Sequence, residues 1–114
     1  KVEKLIKQLQ DQNVDVRMNT VRALGKIGTP EAIKAAEGEV PALIQLLQDK
    51  EWGNRSNAAS ALGAIGSKDV VPVLIQALND QSVSVRGNAA KVLDSIGTIY
   101  PEALEAVKEY RFRQ

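Results

Sequence analysis

The chain has 114 residues, a net charge of +1 from 15 basic and 14 acidic side chains, and neither Cys nor His. This excludes thiol chemistry, disulfides, Cys/His zinc sites, imidazole acid-base catalysis and the usual haem ligands, so no cofactor is expected. The near-neutral balance gives no long-range field for nucleic acid or an anionic membrane. With no apolar run near the roughly 20 residues that span a bilayer, and no signal-peptide core, a soluble cytoplasmic protein is expected.

Val2, Leu5, Ile6 and Leu9 follow the spacing of an amphipathic helix, the first helix (A) of a pair. Asp11, Gln12 and Asn13 supply turn and cap chemistry. A second helix (B) is predicted over 14–27, with Val14, Val16, Val21, Leu24 and Ile27 as its buried side. Gly28 ends it, and Thr29-Pro30-Glu31 starts the next helix, Thr29 as N-cap and Pro30 in the first turn. The junction from Gly28 to Pro41 is seven residues longer than the one from Gly66 to Pro72, the excess being 34–40. Gly38 and Pro41 oppose one unbroken rod, so a short helix over 30–36, a bend and a helix A over 40–47 are expected. The next turn, 48–54, holds the single Trp, Trp52, which register places in the core column of Val14 and Val83. Partial burial is expected, with a lone exposed aromatic serving as a binding hot spot as the other reading. Helix B of this unit is predicted over 54–65. The third unit has helix A over 69–78 and helix B over 83–96. A last helix A begins at Tyr100-Pro101, with Ala103, Leu104 and Val107 inward, and residues 111–114 are expected to fray. Seven or eight helices and no strand result.

Three stretches align without gaps. Leu5-Ile6, Leu43-Ile44 and Leu74-Ile75 precede Asp11, Asp49 and Asp80, then Arg17, Arg55 and Arg86, then Gly28, Gly66 and Gly97. Asn19, Asn57 and Asn88 share a column, as do Leu24, Leu62, Leu93 and Ile27, Ile65, Ile96. Self-similarity at this period marks a solenoid, in which each unit packs on its neighbours. The whole chain, 1–114, is one repeat domain with units 1–28, 29–66 and 67–97 and a half-unit 98–114. Because it begins at Lys1 rather than Met, a piece of a longer array is expected.

The block Pro-x-Leu-Ile-x-x-Leu-x-Asp followed by Val-Arg-x-x-Ala-Ala-x-x-Leu-x-x-Ile-Gly resembles the short HEAT-like repeat of the phycobilisome-lyase type. The resemblance covers nearly the whole chain. It implies an all-α, right-handed α-solenoid of antiparallel helix pairs, about three and a half units long, with A helices convex and B helices concave. It also implies an Asp/Arg ladder between units, here Asp11, Asp49, Asp80 and Arg17, Arg55, Arg86. Members of the family are mostly protein-binding scaffolds, some are bilin lyase subunits, and a related group are DNA glycosylases, so fold alone does not settle function.

The Asp/Arg columns recur in every unit, whereas an active site occurs once, so we assign them to the inter-repeat interface. The Asn column departs from the family's usual Ala. Asn is a mediocre helix former, and we read Asn19, Asn57 and Asn88 as a hydrogen-bonded stack, with a recognition stripe as the other reading. The outward positions of helix B are Asp15, Met18, Arg22, Gly25, Lys26 in the first unit, Gly53, Ser56, Ser60, Gly63, Ala64 in the second, and Ser84, Gly87, Lys91, Asp94, Ser95 in the third. They form a shallow groove with a small-residue floor, and Met18, Arg22, Lys26, Ser56, Ser60, Lys91 and Asp94 are its candidate binding residues; plain solvated surface is the competing reading.

The function expected is a non-catalytic scaffold binding a protein or peptide on the concave face, with neither nucleic acid nor membrane as partner. A glycosylase would need aromatic residues and a carboxylate in a basic channel, which this groove does not supply. A bilin lyase subunit and a structural spacer from a longer array are the alternatives. Leu5, Ile6 and Leu9 at one end, and Leu104 and Val107 at the other, are expected to leave apolar surface for self-association.

Overall fold

The computed structural model describes residues 1–114 as eight α-helices and one 3₁₀ turn, with no strand. In order these are α1 (Val2–Gln8), α2 (Val14–Ile27), α3 (Pro30–Glu37), α4 (Val40–Leu46), α5 (Trp52–Ile65), α6 (Val71–Ala77), α7 (Val83–Ile96) and α8 (Pro101–Arg113), with the 3₁₀ turn Lys68–Val70 before α6. Three antiparallel pairs, α1/α2, α4/α5 and α6/α7, are the repeats, and α2, α5 and α7 pack side by side in that order. The molecule is a slab with extents 43 × 31 × 17 Å. Its thinnest dimension fits two helix layers about 10 Å apart.

Local chemistry sets the ends of these helices. The Asn13 side chain accepts from Asp15 N and Val16 N, Thr29 from Ala32 N ahead of Pro30, and Ser82 from Ser84 N, so α2, α3 and α7 start on side-chain caps. Helices α2 and α5 stop at Gly28 (φ 73°) and Gly66 (φ 65°), left-handed positions that a Cβ would strain. Gly97, in the same sequence column, has φ −64°. It is buried against the Leu104 side chain, so here glycine serves close packing of α8 rather than a turn.

The extra seven residues form the second half of α3 and the turn into α4, with Gly38 and Glu39 as the break. Helix α3 buries Ala32 and Ala36 and packs on α1, α2 and α5. A single core of 25 apolar residues runs the length of the slab from Leu9 to Val107. Thr20 is also buried in it; its hydroxyl donates to Val16 O at 2.7 Å and lies 3.3 Å from Gln8 Oε1.

Several expectations are corrected. Trp52 is 56% exposed because it is the first residue of α5, where the helix has not yet turned its side chain under α4; Val83 holds the same position in α7 and is also exposed. Val14 and Val16 are half-buried and Ile27 is 40% exposed at the last turn of α2. Helix α8 continues through Arg113 instead of fraying at 111, anchored by a 2.7 Å ion pair between Arg111 Nη2 and Asp94 Oδ2. At the two ends, Leu9 and Val107 are buried and Leu5, Ile6 and Leu104 half-buried, so the exposed apolar side chains there are Ile99 and Phe112 instead.

Candidate binding groove

Counting from each Arg, the residues one, five and eight positions on lie on one face of their helix, since these spacings approximate whole turns. That face looks toward the next unit. In α5 it carries Ser56, which is buried and whose carbonyl and hydroxyl oxygens both accept from Asn88 Nδ2 of α7. A Cβ built on Gly25 would collide with the Ala64 carbonyl oxygen and come within 2.8 Å of its carbon, and one on Gly63 would come within 2.6 Å of both Val92 methyls. Glycine at these two places is what lets α2, α5 and α7 pack so closely.

This seam corrects two candidate residues. Met18 is 1% exposed and Ser56 is buried, because both point along the seam toward the following helix rather than into solvent. Gly87, at the same position in α7, has nothing within 4 Å of a built Cβ. Asp94 also faces onward and is engaged by Arg111 of α8.

The Asn column is not an amide-to-amide stack. Arg22 Nη1 donates to Asn19 Oδ1 at 2.7 Å, and Arg22 Nη2 donates to Asn57 O at 3.1 Å and Asn57 Oδ1 at 3.3 Å. Thus α2 and α5 are bridged through a guanidinium and α5 and α7 through Ser56. Asn19 and Asn57 are exposed, so water can satisfy their remaining amide groups and no direct stack is required. The part of Arg22 in this bridge was not legible, because its column reads Arg22, Ser60, Lys91 and carries no repeat.

The Asp and Arg columns act chiefly inside each unit. Each Asp side chain accepts from the backbone N–H two residues on: Asn13 at 2.8 Å, Glu51 at 3.1 Å and Ser82 at 2.8 Å. Arg17, Arg55 and Arg86 each donate from Nη1 to the carbonyl of their own unit's Asp, at 2.5, 2.7 and 2.7 Å. One rung crosses between units: Arg55 Nε and Nη2 grip Asp80 Oδ2 and Oδ1 at 2.9 and 3.1 Å. Arg17 makes no such pair with Asp49 across the junction that carries α3, and Arg86 forms no ion pair, donating to the Asp80 and Gln81 carbonyls. Burial pushes the Asp80 carboxyl up, but hydrogen bonds from Arg55 and Ser82 N, with the charges of Arg55 and Arg86, hold it below its ordinary value of 3.8. The Asn54 side-chain amide and Glu51 N–H likewise lower Asp49. The Asp80 hydrogen bond raises Arg55.

Across α2, α5 and α7 lies an open depression of about 630 Å³ lined by Arg22, Gly25, Lys26, Ser60, Gly63, Ala64, Asn88, Lys91, Val92 and Ser95. It brings together Arg22, Lys26, Ser60 and Lys91 and leaves out Met18, Ser56 and Asp94. Asn88 and Val92 also line it; neither was among the outward positions read from the sequence. A smaller hollow of about 430 Å³ between α4 and α6 lies on the A-helix side. The structure holds no group of three or more His, Cys, Asp or Glu side chains arranged for a metal ion, and no helix long and apolar enough to cross a membrane.

A family model described as HEAT repeats matches residues 40–111, and one described as HEAT repeat matches residues 2–29. The unmatched stretch between them is α3 and its turn. Crystal structures of two engineered proteins from the Northeast Structural Genomics Consortium are similar, each at 28% identity over 96% of this chain, with TM-scores of 0.60 and 0.56. The chain spans 50% of the first and 30% of the second. No curated protein matches. With paired helices, a shared row of B helices and a family match over most of its length, the chain belongs to the HEAT repeat family.

Proposed function

We propose that this chain is a non-catalytic scaffold that binds a protein or peptide segment in the groove across α2, α5 and α7. The supporting observation is the depression itself: it crosses three successive units and its floor is Ser60, Gly63 and Ala64. Small side chains let a partner's backbone approach the helices, while the longer Arg22, Lys26 and Lys91 stand at its margins. No aromatic residue lines the groove to stack a base, which favours a protein partner over nucleic acid.

The test is hydrogen exchange on the chain with and without a captured partner, beside a variant carrying Ser60→Glu and Lys91→Glu. Partner-dependent protection confined to α2, α5 and α7, lost in the variant, is the expected result. Protection over α4 and α6 that survives the substitutions moves the site to the A-helix side, and absence of any saturable partner favours a spacer.

A further inference from the structure

The ten groove residues include three cations and no carboxylate, although the chain as a whole is near neutral. Asp94, the acidic residue nearest to Lys91 in sequence, does not line the groove and is paired with Arg111 on α8. Lys26 and Lys91 are exposed and form no ion pair. The acceptors Arg22 uses, Asn19 Oδ1, Asn57 O and Asn57 Oδ1, are all neutral, so its charge is held in place without being cancelled. A guanidinium carries five N–H donors, and these bonds leave part of that fork free for a ligand.

The sequence columns give these charges an order. Arg22, Ser60 and Lys91 are equivalent positions on α2, α5 and α7, so a line across the groove meets cation, hydroxyl, cation. Packed helix axes lie about 8–10 Å apart, and the close approach at Gly25 and Gly63 sets both spacings near the short end, roughly 16 Å from α2 to α7. Arg22 leans toward α5 to reach Asn57, so its charge stands inward of that span. Extended chain rises about 3.3 Å per residue and turns alternate side chains to one face, so residues i and i+4 share a face about 13 Å apart, which suits the shortened span.

Resting on the groove reading above, we infer that the partner segment is an extended acidic peptide, with carboxylates at positions i and i+4 meeting Arg22 and Lys91. The residue between them, at i+2, is small and sits over Ser60, and Lys26 receives a further acidic residue toward the end of α2. The contacts are charge-assisted hydrogen bonds to carboxylates from the half-buried Arg22 and the exposed Lys26 and Lys91. Specificity therefore comes from charge placement over a floor that excludes bulk, and binding weakens with salt as the Debye length falls from about 10 Å at 0.1 M to about 3 Å at 1 M.

The experiment is selection from a displayed library of random peptides on the chain, on a Lys26→Glu/Lys91→Glu variant and on Ser60→Glu. Single-stranded and duplex DNA are tested as competitors, and melting curves check that all variants fold. The expected result is peptides with Asp or Glu four apart, whose affinity drops about tenfold in the charge-reversed variant and falls with salt. Peptides without acidic bias that are lost only on Ser60→Glu would overturn the acidic partner and leave the groove reading standing. DNA binding that depends on Lys26 and Lys91, with no acidic peptide selected, would replace the peptide by a polyanion. Peptides indifferent to all three substitutions, or none selected, would overturn both readings.

Discussion

Gly25 and Gly87 occupy helix interiors in the first and third repeats, yet their surroundings give opposite consequences for the same substitution. Gly25→Ala drives a methyl into the Ala64 backbone, which cannot rotate away, so a loss of about 1–3 kcal/mol is expected. Gly87→Ala meets nothing and gains helix propensity, a stabilisation of about 0.5–1 kcal/mol. Urea midpoints of the two variants check this; equal shifts of one sign would contradict the close α2/α5 approach. Asp80 is argued from its charge. Its folded value lies below the ordinary 3.8, so its contribution is present above that value and is lost as pH falls through the lowered one. Asp80→Asn is therefore expected to be less stable than the parent at pH 7, with the gap closing on acidification; a gap that stays constant down to acid pH would show that the Arg55 pair does not supply it. Residue by residue, the repeated columns were legible, but Met18 and Ser56 were misread. A period identifies which residues share a face, not whether the next helix covers that face.

Helix boundaries followed from caps and terminators where these exist, because they act over one turn and are written in adjacent residues. The α3 break was readable from Gly38 and Pro41 for that reason, and α2 from Asn13. Helix α5, which has no side-chain cap, starts at Trp52 rather than 54, and the helix expected over 69–78 is a 3₁₀ turn followed by α6 over Val71–Ala77. Asn13→Ala is expected to cost about 1 kcal/mol, since two N–H groups at the start of α2 lose their acceptor, whereas Ser82→Gly costs only a few tenths. Thermal melts order the two; a larger loss at Ser82 would contradict the cap assignment. Trp52 and Val83 were misplaced because register equates positions in a helix, while the first residues of α5 and α7 overhang their partners; Val14, first in α2, stays half-buried. The extension of α8 to Arg113 depends on Asp94, a contact across 17 residues that no local signal announces.

At the scale of the molecule, three units leave one row of B helices and one groove across it, and its breadth depends on the seam that Gly25 and Gly63 keep narrow. The solenoid was legible from the aligned columns alone. The sign of the groove was not: whole-chain charge is an average, and only the fold separates Lys26 and Lys91 from Asp94. Since the chain has no Cys, a single thiol placed by substitution can report each face without interference. A photoactivatable cross-linker is attached to Ser60→Cys in the groove and, separately, to Gln45→Cys on the A-helix hollow, and each labelled chain is irradiated with a bound partner. The groove account predicts efficient cross-linking from position 60 and none above background from position 45; cross-linking from 45 alone would contradict it and place the partner on the opposite face.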